Sequence, residues 1–295
     1  MADCMGGGTI AAALRIATER LSATSDTARL DAELLMAHAL GCSRTDLLLR
    51  HMQAEAPAAF AQLVERRLTH EPVAYITGTA EFYGLDLAVT PDVLIPRGDT
   101  ETLVEAAREA FADRSPPRRI LDLGTGSGAL LLAALSLWPD AEGIGIERSP
   151  GALAVAKANG ERHAPAARFL AGDWTISGWA DDLGQFDLVL SNPPYVEDAA
   201  ELAASVRAHE PASALFSGPE GLDDYRILIP QLPGLLAADG IAIVEIGWLQ
   251  ADAVSALAQA AGMSAGVHCD LASRKRAVEM ARITNIPLGK GPAAY

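Results

Sequence analysis

The feature that most constrains this chain is the alternation that begins after Pro116-Pro117. Arg119-Ile120-Leu121-Asp122-Leu123 is an apolar run of strand length, and Ala129 to Leu137 reads as a helix. Gly143-Ile144-Gly145-Ile146-Glu147 reads as the next strand and Ala152 to Asn159 as the next helix. Arg168-Phe169-Leu170 and Phe186 to Leu190 read as further strands, Leu222 to Ala238 as helical around Pro230 and Pro233, Ile241 to Ile246 as a strand, and Ala251 to Ala261 as a helix. Parallel strands need a crossover, usually a helix, so this alternation implies a mostly parallel sheet with helices on both faces. Met263 to Cys269 and Ala277 to Ala281 are expected to add two closing strands. The fold class is α/β with a Rossmann-like sheet.

The first third has a different rhythm. Leu14, Ala17 and Leu21 share a helical face, as do Leu30, Leu34 and Ala37, and then Phe60, Leu63, Val64 and Leu68. Asp26 or Thr27 is placed to cap the second helix and Gly41 follows its end; Pro57 suits a first turn and Pro72 a stop. A helical bundle of about 75 residues is below the size at which a core alone is comfortable. From Tyr75 to Ile95 the pattern becomes β-like: Tyr75-Ile76, Glu81-Phe82-Tyr83 and Leu85 to Val89, punctuated by Gly78 and Gly84. The expected organisation is a helical bundle over 1–74, a β-hairpin linker over 75–95, a catalytic domain over 96–282 and a mobile tail over 283–295.

Composition narrows the partners. A net charge of −15 repels phosphate backbones, so direct nucleic-acid binding is not expected. Cys4, Cys42 and Cys269 form no CxxC pair, and the six histidines show no HExxH or HxH spacing, so neither a disulfide framework nor a metal site is expected. Met1 to Gly8 lacks the basic flank and apolar stretch of a secretory signal; Met5 is a second possible start. The longest apolar run, Ala129 to Leu135, is far short of the roughly 20 residues of a membrane helix. A cytoplasmic monomer is expected.

Two constellations carry chemistry. Asp122-Leu123-Gly124-Thr125-Gly126-Ser127-Gly128 ends a strand and opens a helix, where glycines permit a sharp turn and close ligand approach. Glu147 ends the following strand, 19 residues after Gly128, and can accept hydrogen bonds from both hydroxyls of a ribose. GxGxG spacing departs from the pyrophosphate-binding GxGxxG. It suits a nucleoside ligand without phosphate, such as S-adenosylmethionine. The second constellation, Asn192-Pro193-Pro194-Tyr195, directly follows the strand Phe186 to Leu190. The prolines fix φ and remove two N–H donors. The Pro193 carbonyl and the Asn192 side-chain oxygen then form a pair of acceptors for an NH₂ group on an sp² carbon. Tyr195 offers a face for a planar amide or base.

Together these motifs resemble the HemK-type release-factor glutamine methyltransferases. Glu71-Pro72-Val73-Ala74-Tyr75-Ile76-Thr77-Gly78 and Glu81-Phe82-Tyr83-Gly84-Leu85 look like that family's interdomain segment. Val93-Leu94-Ile95-Pro96-Arg97-Gly98-Asp99-Thr100-Glu101 is similar to its signature, which usually has proline where this chain has Gly98. Glu210-Pro211, Ala214-Leu215 and Gly221-Leu222 also match, and the likeness spans roughly residues 10–282. The resemblance implies a class I methyltransferase sheet behind a helical N-terminal domain and a β-hairpin. It implies S-adenosylmethionine as cofactor. The implied substrate is the glutamine of the Gly-Gly-Gln motif in class 1 peptide chain release factors. By the same resemblance Trp174 lies near the adenine; the other reading is a core tryptophan.

Arg97 is expected to engage the substrate protein or the cofactor, or to form a surface ion pair. Glu245, at the end of a late strand, is a candidate for a group that supports the site from behind but is not counted among the site residues. Arg274-Lys275-Arg276 reads as a solvated turn, the alternative being a contact to an acidic partner. Asn192, Pro193 and Tyr195 are the candidate catalytic residues. Asn192 to Tyr195 and Arg97 are the candidate substrate contacts. Gly124 to Gly128, Glu147, Trp174 and Asn192 are the candidate cofactor contacts. The alternative is an adenine-N6 methyltransferase acting on nucleic acid, since adenine presents the same NH₂. A non-catalytic cofactor-binding module and a dinucleotide oxidoreductase are disfavoured by the Asn192 to Tyr195 turn.

Overall fold

The computed structural model describes residues 8–283. The expected tail lies outside them except for Ile283, as do Cys4 and Met5. The chain divides into two compact units. One holds the residues up to Ala80 with Ala88–Ile95 and Glu201–Ala212; the other holds Glu81–Leu87, Pro96–Ala200 and the chain from Ser213 on.

The first unit is helical. Thr9 caps the helix Ile10–Leu21, its hydroxyl accepting the Ala12 amide, and Leu14, Ala17 and Leu21 are buried as their spacing implies. They share a core with Leu35, Met36, Phe60 and Val64. Each large side chain buried there contributes about 1.5–3 kcal/mol. The next helix, Ala28–Leu40, corrects the sequence reading: Leu30 is exposed and Leu34 half-buried, while Ala28, Ala32, Leu35 and Met36 face the core. The face was misjudged because two acidic residues on it are buried rather than solvated. Asp31 pairs with Arg67 at 2.7 Å and Glu33 pairs with Arg29 and Arg44. Arginine partners make such carboxylates tolerable in a core.

Tyr75-Ile76, read as β-like, lies in the short helix Val73–Thr77. Pro72 starts that helix and Gly78 ends it, and this punctuation outweighs the local preference of an aromatic and a β-branched residue. The hairpin follows as β1 (Thr79–Phe82) and β2 (Leu85–Ala88), joined through Tyr83 and Gly84, both with positive φ.

In the second unit β3 (Arg119–Leu123), β4 (Glu142–Glu147), β5 (Arg168–Ala171), β6 (Phe186–Ser191), β7 (Leu236–Glu245), β8 (Met263–Cys269) and β9 (Lys275–Arg282) form one sheet in the order β5-β4-β3-β6-β7-β9-β8. The strands from β5 to β7 are parallel, and β9 runs antiparallel to both neighbours. Alternate residues feed two cores: Ile120, Leu188, Leu190 and Ile243 on one face, Leu121, Leu123, Val189 and Val244 on the other. The helix Ala129–Leu137 covers the first face and the helix Ala251–Ala260 the second. The helix expected over 222–238 breaks into Asp223–Leu228, a 3₁₀ turn and Leu232–Leu235, and Leu236 already belongs to β7. Pro230 and Pro233 each open a new short helix, and pairing of Leu236 with Phe186 claims the residues that follow. Among the described residues no helix is long and apolar enough to cross a membrane.

Candidate active site

The strand order reverses at β3, whose neighbours are β4 and β6. In an open parallel sheet the crevice beyond the strand ends at such a reversal is where ligands bind. Both sequence constellations sit there. Ser191, the last residue of β6, donates its hydroxyl to the carbonyl of Leu123, the last residue of β3, at 2.8 Å, so the two strand ends are tied together.

The loop after β3 is held from several sides. The amides of Gly124 and Thr125 both donate to the Ile146 carbonyl, at 2.9 and 3.0 Å. Asn159 donates its side-chain amide to the Ser127 carbonyl, and the Gly128 amide donates to Thr125. Gly124 has φ +70°, and a Cβ on it would come within 3.1 Å of the Trp174 ring, so only glycine fits. Thr125 donates its hydroxyl to Asp122 at 2.5 Å. Burial pushes the Asp122 carboxyl up to about 7; the Thr125 hydrogen bond opposes this and the charge of Glu147 adds to it. The other Asp122 oxygen, Oδ1, has no hydrogen-bond partner among the described residues.

Glu147 is 8% exposed. Its Oε2 accepts the Gly126 amide at 3.0 Å and its Oε1 accepts the Ser149 amide at 2.8 Å. Each oxygen keeps a further lone pair, so the clamped carboxylate can still receive two hydroxyls. Trp174 is buried in the second-face core with its ring on Gly124 and its indole N–H donated to Asp224. A fixed acceptor pair, a loop without a Cβ at its closest point and an aromatic beneath it fit a nucleoside-type cofactor.

The segment after β6 is equally constrained. Asn192 and Tyr195 are half-buried, and Pro193 and Pro194 are buried. The amides of Tyr195 and Val196 donate to the Leu215 carbonyl at 3.2 and 2.8 Å. Gln250 donates its side-chain amide to the carbonyls of Tyr195 and Gly221. Gly221 has φ +65°, and a Cβ there would lie 2.2 Å from the Tyr195 oxygen. Within this pinned turn, neither the Asn192 side chain nor the Pro193 carbonyl takes a hydrogen bond from the described residues. Two oxygen acceptors are therefore available side by side in sequence.

The structure gives partners to residues that the sequence reading left without a defined role. The Tyr195 phenol donates to Glu245 Oε1 at 3.1 Å, and burial followed by that negative charge pushes the phenol well above its ordinary value. Glu245 is 2% exposed. Burial pushes its carboxyl up to about 7 against the pull of Thr100, Tyr195 and Arg276, with Asp99 adding to the rise. Arg276, read as part of a solvated turn, is instead buried in β9, 2.9 Å from Asp99 and 3.3 Å from Asp270. Strand alternation turns it inward between two carboxylates. Arg97 is exposed, and its charge acts on Tyr195. A signal for Glu245 was present: it is the one charge in the apolar run Ile241 to Ile246.

The chain is similar to known proteins along most of its length. Residues 12–78 match the model of the PrmC N-terminal domain and residues 99–215 that of the methyltransferase small domain. A release factor glutamine methyltransferase of Bradyrhizobium diazoefficiens is 42% identical over 290 residues, covering 94% of this chain and 96% of the relative. One from Geobacter sulfurreducens is 42% identical over 236 residues, covering 78% and 80%. The solved hMettl16 catalytic domain, in complex with the MAT2A 3'UTR hairpin 6, shares the fold at a TM-score of 0.55 and 13% identity, over 75% of this chain and 83% of that one. On its two domains and its likeness to such relatives along most of its length, the chain belongs to the release factor glutamine methyltransferases.

Proposed function

We propose that this methyltransferase moves a methyl group from S-adenosylmethionine to the side-chain amide nitrogen of the glutamine in the Gly-Gly-Gln motif of class 1 peptide chain release factors. The observation that carries the reading is the pinned turn after β6, with the Asn192 side chain and the Pro193 carbonyl unclaimed beside Tyr195.

Glu147 receives the ribose hydroxyls while the Gly126 and Ser149 amides hold it in place. Gly124 to Gly128 leave room for the aminoacyl part, and Trp174 borders the adenine side. When bound, S-adenosylmethionine supplies a methyl group on a sulfonium, an electrophile that needs alignment more than acid–base help. An amide nitrogen is a poor nucleophile because its lone pair is conjugated. Asn192 Oδ1 and the Pro193 carbonyl accept its two hydrogens and free the nitrogen to pyramidalise toward the methyl. Pro194 keeps the turn rigid, and the Tyr195 ring lies against the amide plane. The N–C bond forms as the methyl–sulfur bond breaks, its electron pair staying on sulfur; positive charge develops on nitrogen beside two fixed oxygen dipoles, and the proton then leaves to water. Arg97 and the helical N-terminal domain contact the release factor.

Single-turnover transfer to a release factor under saturating cofactor tests this. Asn192→Ala removes one dipole and is expected to lower the rate about 10²–10³-fold. Asn192→Asp keeps an oxygen and ranks between wild type and alanine. Alanine equal to wild type makes Asn192 a turn residue only, and alanine faster than aspartate removes the oxygen from the mechanism.

A further inference from the structure

We propose that Glu245 is a positioning residue for methyl transfer: its buried carboxylate holds the Tyr195 phenol and so fixes the ring against which the acceptor amide lies. This rests on the reading of Tyr195 given above. Glu245 lies one residue beyond the Ser191–Val244 pair of β6 and β7, level with the start of the Asn192 to Tyr195 turn. The 3.1 Å hydrogen bond to the phenol joins the two strand ends through side chains.

Packing does not ask for a carboxylate there. An apolar residue would fill a strand between two apolar cores at less cost than a buried charge. Nor is the carboxylate optimised as a structural group. Its Oε2 makes no hydrogen bond of normal geometry among the described residues, and the Thr100 hydroxyl, which pulls on the same carboxyl, makes none either. The charged and titratable groups acting on the carboxyl are Tyr195, Arg276 and Asp99, and the Tyr225 hydroxyl donates to the Glu245 main-chain oxygen at 2.8 Å. Burial raises the carboxyl to about 7 despite Thr100, Tyr195 and Arg276. A costly group whose one well-formed side-chain hydrogen bond goes to Tyr195 is explained by what it does to that ring.

The test is a double-mutant cycle on the full chain, reading kcat for transfer to a release factor and the S-adenosylmethionine Kd by calorimetry. Glu245→Leu is expected to lower kcat about tenfold, the worth of one orienting hydrogen bond, with Kd within a factor of about two. Glu245→Gln keeps an acceptor oxygen and is expected to stay within about threefold of wild type. In a Tyr195→Phe background, where the phenol is gone, Glu245→Leu should add less than about twofold. Equal losses in both backgrounds, or a Glu245→Leu kcat equal to wild type, overturn the proposal. If Glu245→Leu does not fold, Tyr195→Phe decides, because it removes the same hydrogen bond from the other side; a wild-type kcat then overturns it. Wild-type protein that transfers nothing to the release factor fails the functional reading itself, a result distinct from either of these.

Discussion

Replacing Glu147 with alanine should do more than remove a ribose contact. Its two oxygens hold the Gly126 amide at 3.0 Å and the Ser149 amide at 2.8 Å, in a place only 8% exposed. The variant therefore loses the acceptors offered to the ribose and also unpairs an amide in the glycine loop and one at the start of the helix Pro150–His163. Hydrogen bonds to a charged acceptor are worth about 1.5–3 kcal/mol. Loss of the ribose share alone weakens S-adenosylmethionine binding roughly ten- to a hundredfold. The two stranded amides lower stability of the cofactor-free protein by about 1–3 kcal/mol, less where water reaches them. Glu147→Gln is not a mild substitute, since its NH₂ must face one of the two amide donors. Calorimetry gives the Kd and a thermal melt without cofactor gives the stability. A Kd within twofold of wild type and an unchanged melting temperature would refute both the ribose assignment and the clamp.

Gly221→Ala is expected to lower kcat at least tenfold, because its Cβ falls 2.2 Å from the Tyr195 oxygen at φ +65°. Cofactor Kd should hardly move, and a wild-type kcat contradicts the idea that this turn must be pinned. Gly98→Pro should raise stability by about 0.4–1 kcal/mol in a thermal melt. Arg97 already has the extended conformation that proline wants before it (φ −111°, ψ 143°), and a Cβ at Gly98 meets nothing within 4 Å. A lower melting temperature contradicts it. Glu245→Gln should stabilise the protein at pH 8 by on the order of 1–3 kcal/mol. The wild-type carboxyl is raised from 4.5 to about 7 in the fold, so the folded state binds its proton more tightly. Wild-type stability accordingly falls as pH rises from 4.5 to 7, and the two proteins should converge at pH 4.5; a pH-independent difference contradicts the assignment.

The alternating sheet was legible because strands such as Arg119–Leu123 and Phe186–Ser191 are compact, largely apolar runs bounded by turn residues. The glycine loop and the Asn192 to Tyr195 turn were legible because local backbone chemistry, glycines that permit a sharp turn in one and prolines without amides in the other, defines them. What escaped depends on contacts far apart in the chain. The burial of Asp31 and Glu33 requires Arg67 and Arg44, which no helical period announces. Gln250 and Gly221 matter through the Tyr195 carbonyl, and Arg276 through Asp99. Glu201–Ala212 interrupts the catalytic sequence yet clusters with the N-terminal helices, where Glu210 accepts the Ile95 amide. Tyr75-Ile76 shows the reverse: punctuation by Pro72 and Gly78 was in the sequence and outweighed residue preference.

The central claim is transfer to one glutamine nitrogen in a release factor. Its most direct measurement is incubation of the full chain with methyl-labelled S-adenosylmethionine and, in separate reactions, a class 1 release factor, the same factor with the Gly-Gly-Gln glutamine changed to alanine, and duplex DNA. Label is expected in the first alone, on the peptide that carries Gly-Gly-Gln. Equal label in the alanine version, or label in DNA with none in the release factor, would contradict it.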